Sequence, residues 1–265
     1  MKTIAVIGAG NMGQALIAGL QSSDHQAQLE IKAATASQAS ADKVAQHFDI
    51  ACSTDNQTCA QGADLVIVAV KPYLMDQVLD KIKNSLKADA IIVTVAAGYS
   101  LEQAGTILGD QTAIVRIMPN TAVKIGQGVI AMTANDQVST KDYQAVKDLF
   151  QGLGLVAEVS EDQFATITGL SGSSPTIVYM LIEAMADAGC QQGLQRSQAQ
   201  SLAAQTVLGA AAMVVETGQH PGQLKDAVCS PAGTSIECVR KAEEKGLRSA
   251  AIEAVIAACQ KAKGN

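Results

Sequence analysis

Three glycines near the start of the chain, Gly8, Gly10 and Gly13, separate an apolar, β-branched run from a helical pattern of Ala, Leu and Ile. In a strand–turn–helix unit, the first glycine allows a tight turn and the second lets a pyrophosphate approach the backbone. The third lets the helix lie against the strand. The first helical turn adds unpaired N–H groups and a partial positive charge. We therefore predict a dinucleotide site at residues 8–12, with an ordinary strand–helix turn as the alternative.

The end of the second predicted strand, Leu29–Thr35, carries no acidic residue. In NAD-selective sites an Asp or Glu at this place binds the ribose 2′-hydroxyl. Here residues 33–38 are Ala, Ala, Thr, Ala, Ser and Gln, and Glu30 lies at the opposite end of the strand. Neutral hydroxyls and loop amides suit a 2′-phosphate, which a carboxylate would repel. The pattern predicts NADPH; because no Arg accompanies it and Lys32 is the nearest cation, NADH is the alternative donor.

Two later strand ends carry polar residues. The apolar run Asp64–Val70 is typical of a central parallel strand and leads into Lys71 and Pro72. Since proline suits the first turn of a helix, Lys71 is expected at the carboxyl edge where doubly wound sheets bind ligands. We predict Lys71 beside the cofactor, with a solvated loop lysine as the alternative. Asn120, after the predicted strand Ala113–Met118, is expected near the nicotinamide.

Strand patterns alternate with helical patterns over residues 1–158, which predicts a Rossmann-type, doubly wound parallel sheet. From Ser160 onward only helical patterns occur, among them Pro175–Gly193 and Arg196–Thr217. The predicted fold class is α/β, with a dinucleotide-binding domain at 1–158 and an all-α substrate and dimerisation domain at 159–265. One thin helical layer cannot bury all of the apolar residues of the second domain, so we expect self-association.

Two segments of the helical domain, residues 169–175 and 230–235, are rich in small and hydroxyl side chains and precede helices. Each offers N–H groups and hydroxyls that suit a carboxylate, and a plain capping loop is the alternative for each. Between Phe164 and Leu224 the sequence has no Lys and no acid–His pair. Oxidation of an alcohol needs a base, whereas a protonated imine accepts hydride without a strong acid. The pattern therefore favours reduction of a small imine carboxylate.

Composition excludes several classes of function. The chain has 265 residues, a net charge of −6 and no Trp, so it lacks the basic face and stacking surfaces of a nucleic-acid binder. Its apolar runs fall short of the roughly 20 residues that cross a bilayer, which predicts no membrane contact. Six scattered cysteines and three histidines without ligand spacing predict reduced thiols, no metal site and a cytoplasmic location.

Several motifs together resemble the pyrroline-5-carboxylate reductase family, from Met1 to about residue 262. They are Gly8–Gly13, Ala69–Pro72, Arg116–Thr121, Gly193-Leu194, and His220–Asp226 leading into Ser230-Pro231. The resemblance implies NADPH-dependent reduction of L-1-pyrroline-5-carboxylate to L-proline, the last step of proline biosynthesis. Hydride would pass to C5 of the imine.

The resemblance also implies roles for individual residues. With Asn120 added by its position, the expected cofactor contacts are Gly8, Ala9, Gly10, Asn11, Met12, Thr35, Asn56, Ala69, Val70, Lys71, Pro72, Ala97 and Asn120. The resemblance implies substrate contacts at Gly233, Thr234 and Ser235, and the hydroxyl-rich segment 169–175 adds Ser173 and Ser174 as expected substrate contacts. Ser235 stands where the family has a threonine thought to bond the ring nitrogen, so it is the expected catalytic residue. Family members are dimers with interlocked helical domains, often assembled further, with the site at the dimer interface.

Four residues depart from the family pattern, one of them Thr176, which stands where the family has alanine. Ser174 and Ala232 replace glycines, which narrows both segments and restricts φ. Ser235 lacks the methyl group that fixes the rotamer of a threonine. We expect activity to be retained. Two alternatives stay open: a reductase of another cyclic imine carboxylate, and a catalytically weakened NADP-binding regulatory protein.

Overall fold

A computed structural model describes residues 1–22 and 29–264. His25, which the sequence argument placed outside any metal site, lies beyond the described residues. Contacts divide the chain into two compact units, residues 1–172 with 258–265, and residues 173–257.

The first unit is built on one sheet with the strand order β3-β2-β1-β4-β5-β6-β7-β8. Its strands are β1 (Thr3–Ile7), β2 (Glu30–Ala34), β3 (Ala51–Ser53), β4 (Leu65–Val68), β5 (Ile91–Thr94), β6 (Ala113–Pro119), β7 (Gly128–Ala134) and β8 (Gly154–Glu158). Its helices are α1 (Asn11–Ser22), α2 (Gln38–Phe48), α3 (Asn56–Ala60), α4 (Met75–Ile82), α5 (Leu101–Leu108), α6 (Thr140–Gln151) and α7 (Phe164–Ile167). This confirms the predicted Rossmann-type fold.

One strand pair departs from the parallel arrangement that the sequence predicts. β6 and β7 are antiparallel, whereas the other described pairs are parallel. The connection between them holds only a 3-10 helix, Thr121–Ile125. A parallel pair needs a crossover of a dozen or more residues, so this short connection leaves only the antiparallel pairing.

The core of the first unit covers both faces of the sheet. Alternate residues of β1 face opposite ways: Ile4 and Val6 join one apolar cluster, Ala5 and Ile7 the other. All four residues of β4 are buried, as the unbroken apolar run predicts. The chain leaves β1 for β2 and β3 and returns to β4 on the other side of β1. Open α/β sheets bind ligands at such a switch point.

The second unit is helical. Its helices are α8 (Pro175–Gln191), α9 (Arg196–Thr217), α10 (Pro221–Ala227), α11 (Thr234–Glu244) and most of α12 (Leu247–Ala262). Its buried cluster is small, being formed by Ala186, Ala199 and Ala203. Many large apolar side chains of α8 and α9 stay exposed. Among the described helices, none combines the length and apolarity that a membrane span requires.

The predicted boundary between residues 158 and 159 coincides with the end of β8. By their contacts, residues 159–172 belong to the first unit. Two bonds explain this, because Glu161 pairs with Arg116 of β6 and the Ser171 carbonyl accepts from Asn120. The division of the chain into separate domains at residues 1–158 and 159–265 stays a prediction.

Candidate functional site

The residues predicted to contact the cofactor each follow the carboxyl end of one of the strands β1 to β6. Because these six strands are mutually parallel, the predicted residues lie at one edge of the sheet. Backbone bonds continue across that edge. The Gly8 N–H donates to the Ala34 carbonyl at 2.9 Å, and the Ala69 N–H donates to the Ile7 carbonyl at 2.8 Å.

The glycine turn after β1 has the shape that a pyrophosphate site requires. Gly8 lies at φ 89°, and a Cβ there would stand 2.6 Å from Val70 Cγ1. A Cβ on Gly13 would stand 2.5 Å from the Gly8 carbonyl oxygen, whereas one on Gly10 would meet no heavy atom within 4 Å. The outer two glycines are therefore needed for packing, and the middle one leaves open space for a ligand.

The first turn of α1 also fits an anion. The Gln14 N–H donates to the Gly10 carbonyl at 2.8 Å, and the Gln14 side chain holds the Ala9 carbonyl at 2.9 Å. The preceding N–H groups, of Asn11 and Met12, precede the helical ladder and remain available to a ligand. The first turn of α1 contains no acidic residue. The residues present therefore fit a dinucleotide pyrophosphate.

The end of β2 is uncharged, as the sequence predicts. The Thr35 hydroxyl donates to the Ser37 carbonyl at 3.1 Å, and Ser37 caps α2. Lys32 points elsewhere, since its ammonium donates to the Gln61 carbonyl at 2.6 Å. Glu30 begins the strand at the opposite edge. A helix N-terminus with hydroxyl side chains and no carboxylate fits a 2′-phosphate.

Lys71 lies at the carboxyl end of β4, where the sequence places it. Pro72 begins a 3-10 helix, Pro72–Leu74, that leads into α4. Lys71 is exposed and makes no ion pair with any described residue. Asn56, the first residue of α3, lies at the same edge after β3. Contacts of these residues with the cofactor stay predictions.

Asn120 has a structural role that the sequence did not predict. Its side-chain oxygen accepts from the N–H groups of Ala122 (3.3 Å) and Val129 (3.2 Å). Its side-chain nitrogen donates to the Ser171 carbonyl at 3.1 Å. Because both ends of the amide are engaged, Asn120 ties β6 and β7 to the segment that precedes α8. Its predicted contact with the nicotinamide stays a prediction.

The turn after β5 carries Ala97, which is exposed, and Gly98 at φ 71°. The next residue, Tyr99, donates its hydroxyl to Asp76 Oδ1 at 2.8 Å. Burial raises the pKa of Tyr99 far above its usual range, and the Asp76 carboxylate raises it further, so the hydroxyl stays a donor. Sequence reasoning missed Tyr99 and Asp76. A lone Tyr and a lone Asp carry no spacing signal.

The predicted substrate segment of the second unit begins α11. Gly233 is the N-cap residue, and a Cβ there would stand 2.3 Å from Ser230 Oγ. The hydroxyls of Thr234 and Ser235 have no hydrogen-bond partner among the described residues. The helix N-terminus and the two hydroxyls thus present donors that suit a small carboxylate.

The other predicted substrate segment is not an open loop. Residues Thr168–Ser173 form a π-helix that leads into α8 through Ser174. The Ser173 carbonyl accepts from the Thr176 hydroxyl at 2.7 Å. The interpretation of residues 169–175 as a loop with free N–H groups was therefore wrong, because the N–H groups of a helical segment bond to backbone carbonyls of that segment. Substrate contacts of Ser173 and Ser174 stay predictions.

The two departures from glycine differ in backbone geometry. Ser174 lies at φ −66°, which any residue adopts, so its replacement of glycine restricts nothing. Ala232 lies at φ 56°, in the left-handed region that favours glycine. The predicted restriction thus applies to Ala232 alone.

In the described residues no group of three or more His, Cys, Asp or Glu is placed to hold a metal ion.

Two family models match the chain. One, described as pyrroline-5-carboxylate reductase dimerisation, matches residues 161–265. The other, described as NADP oxidoreductase coenzyme F420-dependent, matches residues 3–98.

Relatives match over nearly the whole chain. The pyrroline-5-carboxylate reductase of Escherichia coli is 44% identical over 99% of this chain and 97% of its own. That of Methanosarcina acetivorans is 38% identical, with coverages of 99% and 97%. A solved 1-pyrroline-5-carboxylate reductase from Streptococcus pyogenes superposes with a TM-score of 0.87, at 33% identity over 99% of this chain and 98% of its own. The Plasmodium falciparum pyrroline carboxylate reductase, solved with NADP bound, has a TM-score of 0.87 at 28% identity, with coverages of 100% and 97%.

Proposed function

The chain belongs to the pyrroline-5-carboxylate reductase family, and from that premise we propose the roles that its residues play. The chain is an oxidoreductase that reduces L-1-pyrroline-5-carboxylate to L-proline, the last step of proline biosynthesis, with NAD(P)H as the donor. The observation in the structure that supports it best is the glycine turn, where Gly10 faces open space beside unpaired helix N–H groups.

We propose that the cofactor contacts follow the strand ends. Asn11 and Met12 donate N–H groups to the pyrophosphate, and Lys71 supplies a positive charge at the same edge. Thr35 and the N-terminus of α2 bind the 2′-phosphate, so NADPH is preferred over NADH. The absence of a carboxylate at the end of β2 supports this preference.

The bound nicotinamide supplies the hydride. We propose that Gly233 and Thr234 bind the substrate carboxylate through N–H and hydroxyl groups, with Ser173 and Ser174 as further contacts. The Ser235 hydroxyl bonds the ring nitrogen and orients the imine, which makes Ser235 the catalytic residue. Because a protonated imine is already an electrophile, orientation suffices and no strong acid is required.

The chain forms homo-oligomers, as its dimerisation domain indicates. We propose a homodimer as the basic assembly, with further association into a larger homo-oligomer. We also propose a cytoplasmic location, which the unpaired state of the described cysteines supports.

The direct test is an absorbance assay at 340 nm with purified protein, pyrroline-5-carboxylate, and either NADPH or NADH. Oxidation of NADPH with formation of proline is the expected result. Turnover only with a six-membered ring imine would instead indicate another cyclic imine as substrate. Tight NADPH binding without turnover on either imine would indicate a catalytically weakened binding protein.

A further inference from the structure

The turn between β5 and α5 is tied to two other parts of the first unit. On one side, Tyr99 is only 5% exposed and donates its hydroxyl to Asp76 in the first turn of α4. This bond joins the turn after β5 to the helix that follows Lys71. Two neighbouring strand ends of the cofactor edge are thereby fixed to each other.

On the other side, one carboxylate oxygen holds the start of α5. Ser100 and Gln103 form a capping box, which leaves the N–H of Leu101 without a partner inside the helix. Glu161 Oε1 accepts this N–H at 2.8 Å. Because Glu161 lies in the segment before α7, the bond connects the turn after β5 to residues 161–172.

The same oxygen of Glu161 is itself fixed. It accepts from Arg116 Nη1 at 2.6 Å, and Arg116 is only 7% exposed. The guanidinium lies 4.4 Å from the centre of the Phe164 ring. A buried guanidinium that is both paired and stacked has little freedom to move, so Glu161 is held in place.

Between these two ties the turn presents an open backbone. Ala97 and Gly98 are exposed, and a Cβ on Gly98 would meet no heavy atom within 4 Å. Because the residues that follow this turn are held by other elements and its middle is exposed, the backbone of Ala97 and Gly98 can set the position of a planar ring that packs against it. Hydride transfer is sensitive to small displacements of the reacting atoms.

We propose that Tyr99 and Glu161 are positioning residues that fix the Ala97–Gly98 turn against the nicotinamide ring of the bound cofactor. The inference rests on the proposed placement of Ala97 near that ring. Neither side chain touches the reacting atoms; each acts through the backbone of the turn. Arg116 acts one step further away, by orienting Glu161.

The test compares two ligands by calorimetry, without turnover. NADPH contains the nicotinamide, whereas adenosine 2′,5′-bisphosphate contains only the adenosine end. In Tyr99→Phe and Glu161→Ala we expect NADPH affinity to fall about fivefold, since each loses one hydrogen bond to the turn. The affinity for the bisphosphate should stay within about twofold, because the β2 end is untouched. Glu161→Gln, which keeps the acceptor oxygen, should restore most of the NADPH affinity.

Glu158→Ala is the matched control, because it breaks an ion pair of the same unit, with Lys147, that holds no turn of the edge. Equal loss of affinity for both ligands, no loss for either, or the same pattern in Glu158→Ala would each overturn the proposal. If Glu161→Ala does not fold, the affinities of Tyr99→Phe for the two ligands test the proposal alone, since this substitution removes one oxygen and keeps the packing of the ring. The proposed function fails separately, through absence of turnover by the unaltered chain.

Discussion

Ala232 is a residue whose backbone conformation does not suit its side chain. At φ 56° an L-residue costs roughly 1–2 kcal/mol relative to glycine. Glycine adds freedom to the unfolded chain, which offsets about 0.4–1 kcal/mol. We therefore expect Ala232→Gly to raise the free energy of unfolding by about 0.5–1 kcal/mol, measured by denaturant titration.

Ser174→Gly is the matched comparison, because it also restores a glycine of the family pattern. At φ −66° the serine is unstrained, so glycine there should lower stability by roughly 0.5–1 kcal/mol. The two substitutions thus have opposite expected signs. A stabilising Ser174→Gly or a destabilising Ala232→Gly would contradict this account.

Ser235 is proposed to orient the imine, and its hydroxyl has no partner among the described residues. Ser235→Ala should therefore lower kcat by about tenfold or more, since one oriented hydrogen bond of about 1.4 kcal/mol is lost. The affinity for NADPH should not change. Ser235→Thr, which restores the family residue, should keep or raise kcat. Wild-type kinetics in Ser235→Ala would remove Ser235 from the site.

Single residues were predictable where their type alone determines the geometry. The spacing of Gly8, Gly10 and Gly13 indicated the turn, and the lack of a carboxylate after β2 was visible in the sequence. The three hydrogen bonds of the Asn120 side chain were not predictable, because two of its partners are Ser171, 51 positions away, and Val129 on β7. The pairing of Glu161 with Arg116 was hidden for the same reason.

At the scale of elements, the start of β1 is anchored by a carboxylate. Asp64, just before β4, accepts from the Lys87 ammonium and from the N–H groups of Lys2 (2.7 Å) and Thr3 (3.1 Å). The hydrogen bond from Lys87, followed by those two N–H groups, holds the pKa of Asp64 well below its usual range. A depressed folded-state pKa stabilises the fold above the unfolded pKa of about 3.9, and this contribution is lost as the pH falls below it.

We therefore expect Asp64→Asn to be destabilised by about 1–2 kcal/mol at pH 7, because charge-assisted bonds are weakened. The difference from the wild type should shrink as the pH falls below about 4. Denaturant titrations at several pH values measure it. Asp110→Asn serves as the control, because Asp110 is exposed and makes no hydrogen bond or ion pair with any described residue. A difference between Asp64→Asn and wild type that stays constant down to low pH would contradict the assignment.

Long periodic elements were predictable from the sequence, and junctions were not. The bounds of α9 agree with the predicted Arg196–Thr217, and α8 begins at the predicted Pro175. The antiparallel β7 depends on a short connection, and the π-helix Thr168–Ser173 lies among packed elements. A Cβ on Gly169 would stand 2.3 Å from Cys259 Sγ, a contact between distant parts of the chain. Local patterns do not contain such contacts.

At the scale of the whole molecule, the helical unit leaves many large apolar side chains exposed. Exposed apolar patches mark interaction sites in many proteins. In α9 the buried residues are Ala199 and Ala203, whereas Leu208 is 59% and Val215 is 81% exposed. These two exposed residues are seven positions apart and so share one face of the helix. The dimerisation domain matched at residues 161–265 indicates self-association. We propose that a second copy of the chain covers this face of α9.

The variant Leu208→Glu/Val215→Glu should therefore abolish the dimer, because two carboxylates would be buried in an apolar contact without partners. Light scattering coupled to size exclusion should show the monomer mass, and the helical content should fall if the unit depends on its partner. Ile125→Glu is the control: Ile125 is 72% exposed and lies in the first unit, so its variant should keep the wild-type mass. A dimer that persists in the double variant would place the interface on another face of the helical unit. Loss of the dimer in both variants would show that added charge, and not the α9 face, is responsible.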